Sequence, residues 1–221
     1  MKRITFEIDF LGVSMEVAQV RSEVTIGQLV QEILVEFALE HPFLNQHQPQ
    51  NYVLRTAVDS IDLPPDQAIH QIGKRSKLFF REKEVIVPET AVSIDQPFYL
   101  RYRSHVFKIG WTPALIGRPI PGDTDNARLA VDLEPFSLAV SRRQAEIVWA
   151  DGRFAIRGLS ENPMLINGVL LPFGRDSIDS LTQLQNGDTI LLQRSGIALT
   201  CLQPDCLSHG RAAQPATGGA S

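Results

Sequence analysis

Four short pieces in the second half of the chain combine arginine, serine and asparagine, whose side chains suit the binding of an anion. Arginine presents a planar fork of N–H donors that matches phosphate or carboxylate. A serine hydroxyl can donate one hydrogen bond, and an asparagine amide both donates and accepts. The pieces are Gly-Arg at 117–118, Ser-Arg-Arg-Gln-Ala at 141–145, Ser-Glu-Asn at 160–162, and Asn-Gly at 167–168 followed by Asn-Gly-Asp at 186–188.

The distribution of charge agrees with anion recognition in this half. The net charge is −4, and residues 1–100 hold 9 basic and 14 acidic side chains, whereas residues 101–221 hold 12 and 11. Of those 12 basic residues, 11 are arginine. This bias favours binding of a discrete anion over adhesion to nucleic acid, although a solvated charged surface is the alternative reading.

The residues that metal sites and catalysis require do not cluster in the sequence. The histidines lie mostly in loops, linkers or the tail, without cysteine or carboxylate partners at metal-ligand spacing; they are His41, His47, His70, His105 and His209. No serine stands in a nucleophile elbow, and no glycine-rich phosphate loop precedes a helix. We therefore predict no catalytic residue, no metal and no cofactor, and an interaction protein rather than an enzyme.

The cysteines and the apolar segments bear on the cellular setting. Cys201 and Cys206 are the only two cysteines, so no disulfide framework organises the chain, and Cys201 is expected in the core. The opening segment alternates apolar and charged residues, and nowhere do about 18 apolar residues run together. These features predict a cytoplasmic protein with neither a signal peptide nor a membrane-inserted segment.

The second half reads as an all-β sandwich, because short apolar runs are separated by Gly, Pro, Asn and Asp, and no long helix pattern intervenes. The dipeptides Asp151-Gly152 and Asn167-Gly168 are strong signals for hairpin turns. The predicted strands are Ala114–Ile116, Leu129–Asp132, Ala145–Trp149, Phe154–Arg157, Met164–Ile166, Val169–Leu170, Thr189–Leu192 and Ile197–Leu202.

The first half begins with a predicted hairpin over residues 3–20, in which apolar residues alternate at Ile4, Phe6, Ile8 and Phe10 and again at Val13, Met15 and Val17. A helix follows, with a capping box at Thr25 and Gln28 and one apolar face. Pro42 is expected to end this helix. We expect strands at Tyr52–Arg55, Ile61–Leu63 and Leu78–Phe80, with Asp66 capping a short helical turn between the last two.

This order of elements over residues 1–84 resembles the ubiquitin-like β-grasp fold. More narrowly, it is similar to the ubiquitin-like domains of bacterial secretion-associated proteins of the YukD type. The resemblance implies a docking domain, and no modifier function is expected, because no free diglycine ends the segment. Residues 85–103 are predicted to be a linker, in which Phe98–Arg103 adds a strand beside one of the two domains. Residues 205–221 are predicted to be a disordered tail that contains Gly218-Gly219.

The four polar pieces, in this order and spacing, resemble the forkhead-associated (FHA) domain over residues 104–204. The resemblance implies an all-β sandwich whose loops bind a phosphothreonine peptide. It implies that Arg118 contacts the phosphate or braces the adjacent loop, and that Ser141 donates its hydroxyl to a phosphate oxygen. Arg142 would contact phosphate or peptide, and Asn162 would hold the peptide backbone.

Three residues depart from the family pattern. Gln144 stands where the family has histidine, at a position that braces the loops. Glu161 stands where a hydroxyl often touches the phosphate. At ~5 Å and an effective dielectric near 20, its carboxylate would oppose a phosphate dianion by several kcal/mol. Either Glu161 turns outward and weakens binding, or it pairs with Arg118 or Arg142. Pro163 replaces a glycine and stiffens the same loop.

The sequence therefore predicts an adaptor with two binding domains. Its FHA half would capture a phosphothreonine protein, such as a Ser/Thr kinase or a kinase target, and its ubiquitin-like half would dock a second protein. The alternative is a structural component, possibly secretion-associated, whose degenerate FHA domain binds partners without phosphate.

Overall fold

The computed structural model describes residues 3–12, 14–57, 60–72, 77–174 and 181–203. Val13, Cys206, His209 and the segment predicted to be a disordered tail lie outside the described residues. Within them the chain forms one α-helix, three short 3-10 turns and fifteen strands in three sheets. No helix among these residues is long and apolar enough to cross a membrane.

The first half is a four-stranded mixed sheet with one helix, α1 (Ile26–Phe37), packed on one face. The strand order is β2-β1-β4-β3, in which β1 and β4 are parallel and the outer pairs are antiparallel. Alternate residues of β1 are buried against the helix, as the sequence alternation predicted. The strands are β1 (Arg3–Phe10), β2 (Ser14–Arg21), β3 (Tyr52–Thr56) and β4 (Lys77–Glu82).

The start of α1 is confirmed at the predicted capping box. Gln28 N donates to Thr25 Oγ1 at 3.3 Å, and Thr25 N donates to Gln28 Oε1 at 2.9 Å. These two bonds satisfy N–H groups that the helix itself leaves without acceptors. The helix ends at Phe37, before the predicted stop at Pro42.

Two details predicted for the first half are wrong. Residues 61–63 form no strand; instead Asp62 makes an isolated bridge to Arg55, and Leu63 N donates to Leu54 O at 2.8 Å. This segment is too short to pair further with β3. A 3-10 turn is present at Ile69–Ile72, but it begins three residues after Asp66, so Asp66 does not occupy its N-cap position.

The second half contains two sheets that enclose one apolar core, as expected for a sandwich. The five-stranded sheet has the order β13-β10-β9-β7-β8, and the six-stranded sheet has the order β12-β11-β14-β15-β5-β6. Cys201 is buried in this core, as predicted. The strands are β5 (Val92–Tyr102), β6 (His105–Thr112), β7 (Ala114–Gly117), β8 (Leu129–Asp132), β9 (Arg143–Ala150), β10 (Arg153–Gly158), β11 (Met164–Ile166), β12 (Val169–Leu170), β13 (Thr182–Gln183), β14 (Thr189–Leu192) and β15 (Ile197–Leu202).

The segment predicted to be a linker, residues 85–103, is a strand over most of its length. β5 occupies Val92–Tyr102 and pairs with β6 and β15. Phe98 and Leu100 are fully buried between the sheets, so this strand belongs to the sandwich. The linker prediction is wrong for residues 92–97, whereas the strand expected over Phe98–Arg103 agrees with the second half of β5. The partner strands of β5 lie both next to it and about a hundred residues later in the chain.

The two halves contact each other through polar and aromatic groups. The buried side chain of Asn45 donates to Val106 O at 2.7 Å. Glu82 accepts from Lys108 Nζ at 2.6 Å and from the Tyr99 hydroxyl at 3.2 Å. Burial is the main cause that raises the pKa of Tyr99, and Glu82 adds to it. These contacts fix the sandwich against the helix-bearing half.

Candidate binding site

The polar pieces of the sequence meet where several loops of the sandwich converge. Three segments are joined there by side-chain hydrogen bonds: the end of β7 with Arg118, the loop before β9 (residues 133–142), and the loop between β10 and β11 (residues 159–163). A rigid sandwich that holds several loops together is a favourable scaffold for recognition.

Gly117 is required at the end of β7 by the close approach of another loop. A Cβ built on Gly117 would lie 2.8 Å from the Arg142 carbonyl carbon and 2.9 Å from the Ser141 carbonyl oxygen. Both distances are below those that real Cβ atoms show, and both neighbours are backbone atoms. The glycine therefore allows the loop that carries Ser141 to pack directly against β7.

Arg118 braces the loop before β9. Its Nε donates to Val140 O at 2.7 Å, and its backbone N–H donates to Arg142 O at 3.2 Å. Glu134 Oε1 lies 3.8 Å from Arg118 Nη1, but that carboxylate is exposed, so solvent screens the pair. One edge of the Arg118 guanidinium thus positions the backbone next to Ser141, and further N–H groups stay available to a ligand.

The loop before β9 is also anchored through one of its own residues, Phe136. The Phe136 ring lies edge-on to His105 at 4.8 Å and to Tyr102 at 5.1 Å between ring centroids. His105 is in turn stacked on His47 of the first half at 4.7 Å. Burial, and to a smaller extent His47, lowers the pKa of His105 below its usual value of 6.5. The loop that carries Ser141 therefore rests on aromatic packing that extends to the first half.

Three side chains form a hydrogen-bonded cluster at the centre of the site. Asn162 Nδ2 donates to Ser141 Oγ at 2.6 Å, and the hydroxyl oxygens of Ser141 and Ser160 are 2.7 Å apart. Asn162 N donates to Ser160 Oγ at 3.1 Å. The sequence places Ser160 in one of the four polar pieces but assigns it no role, because its role depends on an approach between residues 19 positions apart.

Gln144 links the two loops from beneath this cluster. Its side chain is buried; Oε1 accepts from Ser141 N at 3.2 Å, and Nε2 donates to Asn162 O at 2.9 Å. Glutamine can do this because its amide carries both an acceptor and a donor. The expectation that this glutamine can brace the loops in place of histidine is therefore confirmed.

The charges of the site are only partly neutralised within the protein. Arg143 is paired with Asp123 at 2.8 Å, which removes it from the candidates for ligand contact. Arg142 is exposed, and its side chain makes no ion pair within the described part of the chain. Glu161 is also exposed and pairs with neither Arg118 nor Arg142 among those residues. Of the two outcomes expected for Glu161, the ion pair with Arg118 or Arg142 is not observed among the described residues.

A further arginine that sequence reasoning missed lies beside Asn162. Arg194 is in the turn between β14 and β15, and its Nη1 donates to Asn162 Oδ1 at 3.2 Å. The same turn is attached by Gln193 N, which donates to Pro163 O at 3.2 Å. An Arg two residues after the end of an apolar strand was the one available signal.

The remaining polar piece has a structural role. Asn167 has a positive φ of 50° in its turn, and its Nδ2 donates to Asp188 Oδ1 at 2.8 Å. Asn167 Oδ1 accepts from Thr189 N at 2.9 Å, and Asp188 Oδ2 accepts from Gln185 N at 2.7 Å. These bonds join two turns of the six-stranded sheet.

The site is therefore rich in hydrogen-bond donors and contains no metal-binding geometry. Groups of three or more His, Cys, Asp or Glu side chains suited to a metal ion are absent from the described residues. The exposed cations and the hydroxyl cluster suit an anion that only accepts hydrogen bonds, and a phosphate dianion is such a ligand.

Residues 114–193 match the family model of the FHA domain. The match contains every residue predicted for the site and ends one residue before Arg194. The chain therefore contains an FHA domain at these residues. FHA domains are protein-interaction modules, not enzymes.

Solved structures similar to this chain are also FHA domains. One, from a study of phosphothreonine-dependent FHA interactions, is 21% identical, covers 49% of this chain and 97% of its own, and has a TM-score of 0.37. The FHA domain of an Arabidopsis thaliana hypothetical protein is 18% identical, covers 52% of this chain and 92% of its own, and has a TM-score of 0.37. The FHA domain of human APLF, in complex with an XRCC1 bisphospho peptide, is 25% identical, covers 49% of this chain and 99% of its own, and has a TM-score of 0.32. No curated protein matches the chain.

Proposed function

We propose that this chain is a phosphothreonine-dependent adaptor whose FHA domain binds a phosphorylated segment of a partner protein. The observation that carries the proposal is the hydrogen-bond cluster around Ser141. It contains Ser141, which the FHA resemblance assigns to the phosphate, and Asn162, which the resemblance assigns to the peptide backbone, and its geometry leaves one hydroxyl hydrogen for a ligand.

The orientation of that hydrogen follows from counting donors and acceptors. A serine oxygen has two acceptor sites and one hydrogen. Asn162 Nδ2 fills one acceptor site of Ser141 Oγ, and the Ser160 hydroxyl fills the other when it is the donor. Ser160 Oγ meanwhile accepts from Asn162 N. In this arrangement the Ser141 hydrogen points to no acceptor within the described residues, and a phosphate oxygen can receive it.

The cations complete the proposed phosphate site. Arg118 is fixed by Val140 O, so its guanidinium is preorganised and loses little entropy on binding. Arg142 is exposed and contributes a second charge. Asn162 keeps one amide hydrogen and one lone pair of Oδ1 after its bonds to Ser141 and Arg194. Those two groups can hold the backbone of an extended peptide.

The exposure of Glu161 lowers its expected opposition to phosphate. In a solvent-exposed position the effective dielectric approaches that of water, so the repulsion at ~5 Å falls to about 1–2 kcal/mol. Such a cost weakens binding by about tenfold without abolishing it. The partner would be a phosphothreonine protein, such as a Ser/Thr kinase or its target.

We further propose that the first half is a ubiquitin-like β-grasp domain that docks a second protein. The parallel central pair β1 and β4, the flanking antiparallel strands and the single helix on one face support this proposal. The proposed boundaries are 1–84 for this domain and 104–204 for the FHA domain, with β5 added to the latter. The adaptor is proposed to act in the cytoplasm without catalysis.

Titration of the chain against a phosphothreonine peptide library and its unphosphorylated counterpart tests the proposal. We expect phosphate-dependent binding that Arg118→Ala and Ser141→Ala each weaken by ~1–3 kcal/mol, because each removes a hydrogen bond to a charged group. Glu161→Thr should tighten it. Absence of phosphate-dependent binding throughout the library would refute this function.

The second candidate is a structural component that binds partners without phosphate. The observation that favours it is the carboxylate of Glu161 next to Asn162, where a phosphate-binding hydroxyl is expected. In that case phosphorylated and unphosphorylated peptides would bind equally, and Glu161→Thr would leave their affinities unchanged.

A further inference from the structure

The turn between β14 and β15 lies next to the proposed phosphate site. Gly196 closes the turn with a φ of +69°, and its N–H donates to Leu192 O at 2.9 Å. Gln193 N donates to Pro163 O, so the turn is joined to the loop that carries Glu161 and Asn162. The turn therefore has a defined position against the loop.

Arg194 projects from this turn with most of its donors unused. The side chain is exposed, and one of its five N–H donors is bonded to Asn162 Oδ1 at 3.2 Å. It makes no ion pair with any carboxylate of the described residues, in contrast to Arg143 with Asp123. The bond to a neutral amide orients the guanidinium but leaves its charge uncompensated.

The neighbouring residues define which ligand group this charge would meet. Asn162 is the residue proposed to hold the peptide backbone, so a peptide side chain near that contact would lie within reach of Arg194. An anionic peptide group therefore gains attraction at Arg194, whereas a lysine or arginine there would be repelled.

We propose that Arg194 is a specificity-determining residue, which selects peptides that carry a second anionic group close to the phosphothreonine. This inference rests on the proposed phosphopeptide function. The group is a carboxylate or a second phosphate, since both accept hydrogen bonds from a guanidinium fork. Selection by Arg194 is distinct from phosphothreonine recognition, which involves Arg118 and Ser141.

The test uses a phosphothreonine peptide selected from the library and variants with one Asp, or one phosphoserine, at each flanking position. We expect the wild-type chain to bind the best Asp variant about 2- to 5-fold more tightly than its Ala counterpart, the gain typical of an exposed ion pair. A larger gain with phosphoserine would identify phosphate as the second group, and an equal or smaller gain would identify a carboxylate.

Arg194→Gln should remove this preference, because it keeps an amide donor for Asn162 and loses the charge. The parent phosphopeptide should still bind in a phosphate-dependent manner. Arg153→Gln is the matched control, since Arg153 is also exposed and donates to an amide oxygen, that of Gln183, at 3.1 Å. It begins β10, at the opposite end from the site, and its substitution should leave the preference unchanged.

Three results would overturn the inference while leaving the proposed function intact. They are phosphate-dependent binding with no acidic preference at any position, a preference that survives Arg194→Gln, and a preference that Arg153→Gln removes equally. Failure of the wild-type chain to bind any phosphopeptide would instead overturn the proposed function, and with it this inference.

Discussion

Substitution of Ser160 by alanine tests the hydrogen-bond cluster without changing any charge of the site. The change removes the hydroxyl that lies 2.7 Å from Ser141 Oγ and that accepts from Asn162 N at 3.1 Å. In the proposed arrangement Ser141 then loses the donor that directs its hydrogen to the ligand, although its bond to Asn162 Nδ2 remains. Only binding, and not the fold, should respond strongly.

The size of the effect follows from the two lost bonds. Each neutral hydrogen bond contributes about 0.5–1.5 kcal/mol. The bond to Asn162 N stabilises the loop before and after binding, whereas the bond to Ser141 matters most when the phosphate is present. We therefore expect the Kd for a phosphothreonine peptide to rise about 3- to 10-fold, as calorimetric titration would measure.

Ser137 provides a matched control in the loop before β9. Its hydroxyl accepts from Ala139 N at 3.1 Å, the same turn that Ser160 makes with Asn162 N, but no contact with Ser141 accompanies it. Ser137→Ala should lower the free energy of unfolding slightly and leave the Kd within about twofold. Equal Kd values for the wild type and Ser160→Ala would refute the orienting role of Ser160.

Three further predictions concern the scaffold. Gly117→Ala should weaken phosphopeptide binding, because the new Cβ would displace the loop that carries Ser141. Gly110→Ala should not, since the nearest atoms that its new Cβ meets belong to the Val85 side chain, at 3.4 Å and beyond. Calorimetric titrations would compare the Kd values of the two variants. Gln144→Leu should lower the free energy of unfolding by about 2–4 kcal/mol in denaturant titrations, because two loop groups lose buried partners; an unchanged midpoint would contradict this. The lowered pKa of His105 means that below pH 6.5 the unfolded chain binds a proton that the folded chain excludes. Stability should therefore decline as the pH falls through 6.5 and stay constant, as far as His105 contributes, above it. An NMR titration that gives His105 an ordinary pKa would contradict this.

The strands of the FHA half could be predicted closely because local signals and tertiary pairing agree there. Short apolar runs indicate the strands, and turn dipeptides such as Asn167-Gly168 indicate where they end. The observed bounds of β8, β11, β12, β14 and β15 coincide with the predicted ones. The capping box of Thr25 is a local signal of the same kind.

The errors occur where long-range contacts decide the structure. Residues 92–96 of β5 are mostly polar or exposed and precede Pro97, so the sequence resembles a linker. Pairing of Val92 and Ser93 with β6 nevertheless makes these residues part of a strand, which pairs with β15 only further along. Asn45 lies in a polar loop, and its contact with Val106 spans 61 positions, so nothing local indicates that the two halves touch.

In the candidate site, too, local sequence signals predicted some residues, while contacts between distant segments determine others. Arg118, Ser141, Arg142 and Asn162 were predicted from their family-like spacing, and the structure brings their loops together. Ser160 was recognised only as part of a polar piece and Arg194 was not recognised at all, because each makes its contact with a distant loop. The hydrogen-bond partners of Ser141 depend on side-chain geometry that no residue pattern encodes.

The most direct test of phosphate recognition is a pair of ¹H–¹⁵N NMR titrations with one peptide, phosphorylated and unphosphorylated on its threonine. We predict that only the phosphorylated form shifts the amide signals of Ser141 and Glu161 and the side-chain signals of Asn162. Identical shifts with both forms, or phosphate-dependent shifts confined to another face of the sandwich, would contradict the proposed site.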